Sequence, residues 1–409
     1  MISMQQRLLA FSEKAFSFNF IALTFVMFSC LFPTGFASVF SSLAFIFGLL
    51  ILFSRLETVD MSYFEKSGLL LFVWLTISIL WSSAPLSESI GYLSEYRIYF
   101  MLPVYVTALT ARERTRNWAL VAGTIGSCIA LVASYGLGLS WWTIEGANLS
   151  LGDRIYHGFI MSFFMLGGLL LARERNGLYR ILAILIVCAI FVNVLLIEKG
   201  RTGYLLAVLI LIIIGALTFT RAIFCVLAVF GCLVLLGLYL NSDRLHSRVN
   251  VTLSEVKHAF FSNNIDSSAG FRLEMYRNAL VIGSDHAVVG VGVGDVVNTL
   301  ESKSQIGELR VRTDNVHSEF LNMFIAGGIP ALILFISFIF SIGISGVAVR
   351  NRSRPLSHGL FGVCMILLIS SLFNSTIKDF GEKHVLLIVL SILGSYLVSL
   401  QREKKRDVG

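Results

Sequence analysis

Long apolar runs separated by short polar breaks leave this chain few folds to choose from. About twenty apolar residues at 1.5 Å each cross a bilayer core, and several runs reach that length. Inside a bilayer only helices and closed barrels satisfy their own backbone groups, and these runs lack the alternation of a barrel strand. Over 409 residues, 56% are hydrophobic and only 14% are charged, with a mean hydropathy of +0.81. A soluble protein of this length needs more polar surface, so the expected class is an all-α polytopic membrane protein. About twelve spans are expected, near 16–32, 36–53, 67–82, 96–110, 117–139, 155–172, 178–197, 202–219, 222–240, 319–348, 357–374 and 384–400. The organisation is nine helices in 1–240, a polar stretch at 241–318 with room for about two short helices, and three helices with a basic tail in 319–409. No small-residue cleavage site follows the first run, which reads as a retained helix. No internal repeat is evident, which argues against an inverted-repeat transporter.

Lysine and arginine placement sets the orientation. With both termini inside, inner loops and the tail carry 18 of the 32 basic residues, from Arg7 and Lys14 through Arg350, Arg352 and Arg354 to Arg406. The 241–318 stretch then lies outside with eight more, and it is periplasmic if the membrane is a bacterial inner membrane. The remaining six are Arg97, Arg154, Lys199, Arg201, Lys378 and Lys383, all on the outer side. Positive charge should be depleted there, and near the membrane it must pair or line a wet cavity. Local pairing, such as Lys199 with Glu198 or Lys383 with Glu382, accounts for single cases. Several on one face point to a shared anionic ligand. Arginine's planar fork of donors suits phosphate or diphosphate. The net charge of +7 follows the membrane topology and gives no reason to invoke nucleic acid. The six cysteines all lie in apolar runs, without disulfide or metal-ligand spacing.

Three stretches carry candidate chemistry. In IEKGRTGYLLAVL (197–209), Arg201 opens an outer helix end beside glycines, where backbone N–H groups also favour anions. In GFRLEMYRNAL, Arg272, Met275, Tyr276 and Ala279 recur at helical spacing, with Arg272 in the first turn. The following GVGVGD lacks the strand–turn–helix setting of a nucleotide loop and reads as a tight turn that packs the loop against the membrane domain. In RTDNVHSEFLNMF, His317 stands where the polar loop meets the next apolar run, near Asp314 and Glu319. An imidazole there can accept a proton near neutral pH, with either carboxylate available to fix its tautomer. The other histidines read as hydrogen-bonded interfacial groups. No Ser/His/Asp constellation and no acidic pair at metal-ligand spacing appears on the outer face.

GFRLEMYRNAL, VVGVGVGDV and NVHSEFLNMFIAGGIPAL, together with EKGRTGYL, resemble the pattern of the O-antigen ligase and polymerase superfamily over about 197–335. The resemblance implies a C-type membrane glycosyltransferase, inverting and needing no metal or other cofactor. Its donor would be O-antigen on undecaprenyl diphosphate, among membrane lipids, and its acceptor the lipid A–core oligosaccharide at the periplasmic face. On that resemblance His317 is the general base or acceptor-orienting residue, and Arg201 and Arg272 hold the diphosphate and offset its developing charge. Arg97, Arg154 and Lys378 are further candidates for the same anion on charge placement alone, with Asp379 orienting one of them and Tyr276 in support. Two positions depart from the pattern: Tyr276 stands where tryptophan is expected, and NVHSEF replaces a His-Asn pair.

Polymerases of the superfamily tend to carry two comparable outer loops with paired arginine–glycine motifs. Only Arg272 to Gly283 shows that spacing here, with no partner around Arg201, and this favours a ligase over an O-antigen or exopolysaccharide polymerase. A lipid-linked sugar transporter is the alternative of another class. It should carry charges near mid-span, whereas these cations gather on one side.

Overall fold

A helix that breaks and turns back at Gly328 organises one end of the bundle. The computed structural model describes residues 4–55, 59–139, 154–197, 200–241, 268–305 and 315–408, with isolated positions between 241 and 268. Lys199, Asp314 and most of 242–267 lie outside the described residues. Among the described residues every regular element is helical. The first six are α1 (Met4–Ser29), α2 (Thr34–Ser54), α3 (Tyr63–Ile77, extended by a 3-10 turn to Trp81), α4 (Leu86–Glu95), α5 (Ile98–Ala111) and α6 (Glu113–Gly138). Then come α7 (Arg154–Glu174), α8 (Leu178–Val192, continued by a π-helical turn to Ile197), α9 (Arg201–Thr218) and α10 (Arg221–Asn241). Two loop helices follow, α11 (Ser268–Asp285) and α12 (Asp295–Gln305). The chain closes with α13 (Glu319–Val349), α14 (Arg354–Phe373) and α15 (Phe380–Val408).

Among the described residues, nine helices are long and apolar enough to cross a membrane: α1, α2, α3 with its extension, α6, α7, α8 with its π turn, α13, α14 and α15. Three shorter apolar helices, Ile98–Ala111, Arg201–Leu217 and Arg221–Leu233, fall where the other expected spans lie. Large apolar side chains such as Val73, Leu185, Ile333 and Ile344 are exposed on the outside of the bundle, as a lipid-facing surface requires. The amphipathic α4 was not anticipated. Its Ser89 and Tyr92 face inward while Leu86 and Ile90, one turn apart, face out.

Helices α5 and α15 pack together at the centre, with α1, α2, α3, α7 and α14 against one or both. Apart from Phe100, every residue of α5 from Ile98 to Leu109 is buried. Glycines let neighbouring backbones meet, as where Gly158 of α7 faces Gly203 of α9, a device suited to helices that gain little from the hydrophobic effect in lipid. Capping also sets boundaries: Ser62 and Glu65 form a capping box at the start of α3. Lys and Arg residues at one end are tied down. Glu13 pairs with Arg55 at 3.0 Å and with Arg112. Asp60 holds Arg402 at 3.2 Å and Lys405 at 2.7 Å, so the tail is clasped to the α2–α3 connection.

The expected single span at 319–348 is two helices. Gly328 adopts φ 67°, ψ −161°, a region open essentially only to glycine, and Pro330 begins the next turn. The Phe320 and Phe335 rings lie 5.1 Å apart. In a straight helix their α-carbons would be separated by ~22 Å. The first arm, Glu319–Gly327, therefore folds back along the second. A broken helix inside a membrane protein must satisfy its freed carbonyls. Three donors do so: Val291 N–H to Ile325 at 2.9 Å, Gly292 N–H to Ala326 at 3.1 Å and Trp74 Nε1–H to Gly327 at 2.8 Å. The GVGVGD turn is the docking piece. Gly290 and Gly292 take positive φ, which turns the Val291 and Gly292 N–H groups in, and a Cβ at Gly290 would lie 2.6 Å from the Gly327 nitrogen. Asp295 then accepts from Ser82 and Ser83, which fixes α12 to the end of α3.

Candidate functional site

His317 occupies a strained backbone position, φ 53°, in the loop between α12 and α13. Histidine tolerates the left-handed region better than most residues, and such strain concentrates at functional sites. The loop is held from three directions. The His317 N–H donates to Asn315 Oδ1 at 3.0 Å, and Ser375 Oγ donates to the same oxygen. Ser318 Oγ reaches the Ser371 carbonyl at 3.3 Å. The Tyr276 hydroxyl lies 3.2 Å from the His317 carbonyl and 3.1 Å from that of Leu372.

That tyrosine contact joins α11 to the histidine loop. Met275 and Ala279 are buried at 1% and 0% exposure, and Arg272 and Tyr276 are half-buried, so the spacing expected to mark one face is the packed face. Arg272 stands one turn before Tyr276, close enough for its charge to act on the phenol. Burial pushes the Tyr276 phenol above its usual range against that pull, so the hydroxyl is a neutral donor. A second pair of arginines begins α7 and α9. A Cβ at Gly200 would lie 2.9 Å from the Arg154 carbonyl, and Gly158 meets Gly203 one turn further on. Arg154 and Arg201 thus start two helices in contact, and both are exposed.

Both groups reach the helix ends that flank segment 374–379, between α14 and α15. Tyr276 touches its approach at Leu372, and the Tyr156 ring, two residues after Arg154, packs on Gly381. Beneath them lies a buried layer of charge. Glu319 is fully buried and turns its Oε2 to the N–H groups of Ile377 at 2.9 Å and Lys378 at 3.3 Å. Its charge faces Tyr92, Tyr96 and Tyr99. Lys378 Nζ lies 4.0 Å from Glu95 Oε2 and 5.0 Å from the centroid of the Tyr92 ring. Lys383, only 3% exposed, donates to the carbonyls of Glu95 at 3.0 Å and Lys378 at 2.9 Å. Arg97 donates to the Ser94 carbonyl at 3.0 Å and faces His384 Nε2 at 3.2 Å. An imidazole nitrogen that faces a guanidinium must be the acceptor, so the Nδ1–H points to Ser41 Oγ, 3.4 Å away. Asp379 is half-buried beside this layer and its charge acts on Lys383 and Glu319.

The structure thus brings Arg272, Tyr276 and His317 together and sets Arg154 beside Arg201. Glu319 falls in the buried layer, and the half-buried Lys378, Asp379 and Arg97 adjoin it. Asp314, the other carboxylate considered for His317, lies outside the described residues. Sequence reasoning missed Glu95, Tyr92, Tyr96, Asn315, Asn322 and Ser375, and it read His384 as an interfacial histidine. Spacing could not find them, because they come from five separate stretches of the chain. The one usable signal was charge, since Glu95, Lys383 and His384 all adjoin long apolar runs.

Residues 160–336 match a family model described as O-antigen ligase. The matched stretch contains Arg201, Arg272, Tyr276, His317, Glu319 and the Gly328 break; Arg97, Arg154, Lys378 and Asp379 fall outside it. The match supports assignment to the O-antigen ligase family. A search of curated proteins found no match.

Proposed function

We propose that the chain is an O-antigen ligase, an inverting glycosyltransferase that needs no metal. It transfers O-antigen polysaccharide from undecaprenyl diphosphate to the lipid A–core oligosaccharide. One observation carries the reading. Arg272, on a loop helix, is coupled through Tyr276 to the backbone of His317, 45 residues later, within the stretch that matches the family. Placement of the basic helix ends supports an orientation with both termini in the cytoplasm and residues 241–318 in the periplasm of a bacterium.

The chemistry follows from the groups present. The acceptor hydroxyl gives its proton to the His317 imidazole as its oxygen attacks the anomeric carbon, on the face opposite the diphosphate. The bond from that carbon to the phosphate oxygen breaks, and its electron pair leaves with the diphosphate. Arg201 and Arg272 hold that group and offset the charge it gains, with Arg154 adjoining Arg201. Lys378 and Arg97, already engaged by Glu95 and His384, act on the same anion from further below, with Asp379 beside them. Tyr276 supports by holding the His317 carbonyl.

Reconstitution of the purified chain with lipid-linked O-antigen and rough lipopolysaccharide, without added metal, tests the reading. Transfer of glycan to the core is the expected result. Growth of the lipid-linked chain instead makes the protein a polymerase, and passage of the donor across the bilayer without cleavage makes it a transporter.

A further inference from the structure

The histidine loop and the 374–378 segment are tied together by a closed circuit of hydrogen bonds. Its members are all described and mostly buried. His317 N–H donates to Asn315 Oδ1, which also accepts from Ser375 Oγ. Ser375 Oγ in turn accepts from Asn322 Nδ2 at 2.9 Å, three residues along the first arm of α13 from Glu319. Glu319 closes the circuit twice: its N–H donates to the Asn374 carbonyl at 3.2 Å, and its Oε2 takes the N–H groups of Ile377 and Lys378. Glu319 is two residues from His317, the position from which a carboxylate is expected to orient the imidazole. It turns instead to two backbone donors on a segment almost sixty residues away.

The choice has a physical reason. Ile377 and Thr376 are fully buried, and backbone N–H groups of a non-helical segment in such a place need acceptors. A carboxylate oxygen supplies one acceptor for two adjacent donors. What it holds matters, because Lys378 leaves that segment toward Tyr92 and Glu95, and Lys383 takes the Lys378 carbonyl.

We infer that Glu319 is a positioning residue. As a hydrogen-bond acceptor it locks segment 374–378 onto the loop that carries His317, and it serves neither as partner nor as counter-charge of the imidazole. The effect on transfer rests on the ligase reading above, whereas the lock itself does not. Glutamine keeps an oxygen able to accept both N–H groups and presents its amide to tyrosine hydroxyls, which can accept. Alanine leaves the two buried donors unpaired.

The experiment compares Glu319→Gln and Glu319→Ala in the full-length chain in two ways. Hydrogen exchange reads the amides of Ile377 and Lys378 directly, whatever reaction the protein performs. Glu319→Ala should accelerate their exchange while Glu319→Gln leaves it near the parent rate. In the reconstituted transfer assay, Glu319→Ala should lower kcat on the order of 100-fold through misplacement, with KM for the lipid-linked donor changed less. Glu319→Gln should restore kcat and keep the parent's pH profile. Unchanged exchange in the alanine variant overturns the lock. A glutamine variant that exchanges normally but transfers no better than alanine, or with a displaced pH profile, overturns the acceptor role and makes the charge the functional feature. Normal exchange effects with no transfer by the parent chain would reject the ligase reading and leave the lock standing.

Discussion

Two tiers of cations occupy the same end of this bundle, and they are built on different terms. The upper tier is Arg154, Arg201 and Arg272, exposed or half-buried, at or within a turn of helix starts beside glycines. The lower tier is Lys383, which is buried, with Arg97 and Lys378, which are half-buried, set among tyrosines and carboxylates. A buried ammonium persists only when its protons are matched, and Lys383 spends two of them on carbonyl oxygens. A ligand that sought the lower tier would have to displace those partners and leave buried carbonyls behind. An arginine at an exposed helix start can turn its fork to phosphate at little cost. On charge placement the tiers look alike. In the fold the upper one is suited to contact a substrate directly, whereas the lower one is engaged within the protein and would reach a bound anion only through its charge.

The largest effect should come from the histidine. His317→Ala should abolish transfer in the reconstituted assay while the thermal unfolding temperature stays near the parent value; transfer at near-normal rate would remove the histidine from the chemistry. Next come the upper arginines. Arg201→Ala and Arg272→Ala should each lower turnover by ~100-fold, about 3 kcal/mol of transition-state stabilisation, with the fold intact. Lysine at either position should recover only part, since it lacks the fork. If lysine restores full activity, a point charge is enough and the bidentate reading fails.

The lower tier should answer in stability instead. Lys383→Met leaves the Glu95 and Lys378 carbonyls without their buried donor and should cost about 1–3 kcal/mol, read as earlier thermal unfolding in detergent. A variant that unfolds normally but loses donor binding would erase the distinction between the tiers. Tyr276→Phe is the smallest test. Loss of one hydrogen bond to the His317 carbonyl should cost about 1 kcal/mol, read as a several-fold slower turnover. A loss as large as that of the arginine variants would move the tyrosine into the reacting centre.

How far the site could be read in advance depended on how local each signal was. The face of α11 was readable because helical spacing sets Arg272, Met275, Tyr276 and Ala279 on one side. The GVGVGD turn was readable as a packing turn, though not what it packs on. The break at Gly328 was hidden inside a long, mostly apolar run, because hydropathy carries no direction, and a span that turns back is as greasy as one that continues. The buried layer was hidden for another reason. Glu95, Glu319, Lys383 and His384 acquire meaning only from the groups opposite them, which arrive from α4, α13 and α15.

Composition and the spacing of apolar runs are enough to make this chain a bundle of membrane helices. The bilayer imposes length and internal hydrogen bonding on any sequence that enters it. Local motifs are enough to nominate His317, Arg201 and Arg272. Which carboxylate serves which partner was left to the tertiary structure. A buried charge takes the nearest unpaired donors in space, and Glu319 found those on segment 374–378 when the first arm of α13 folded back beside it.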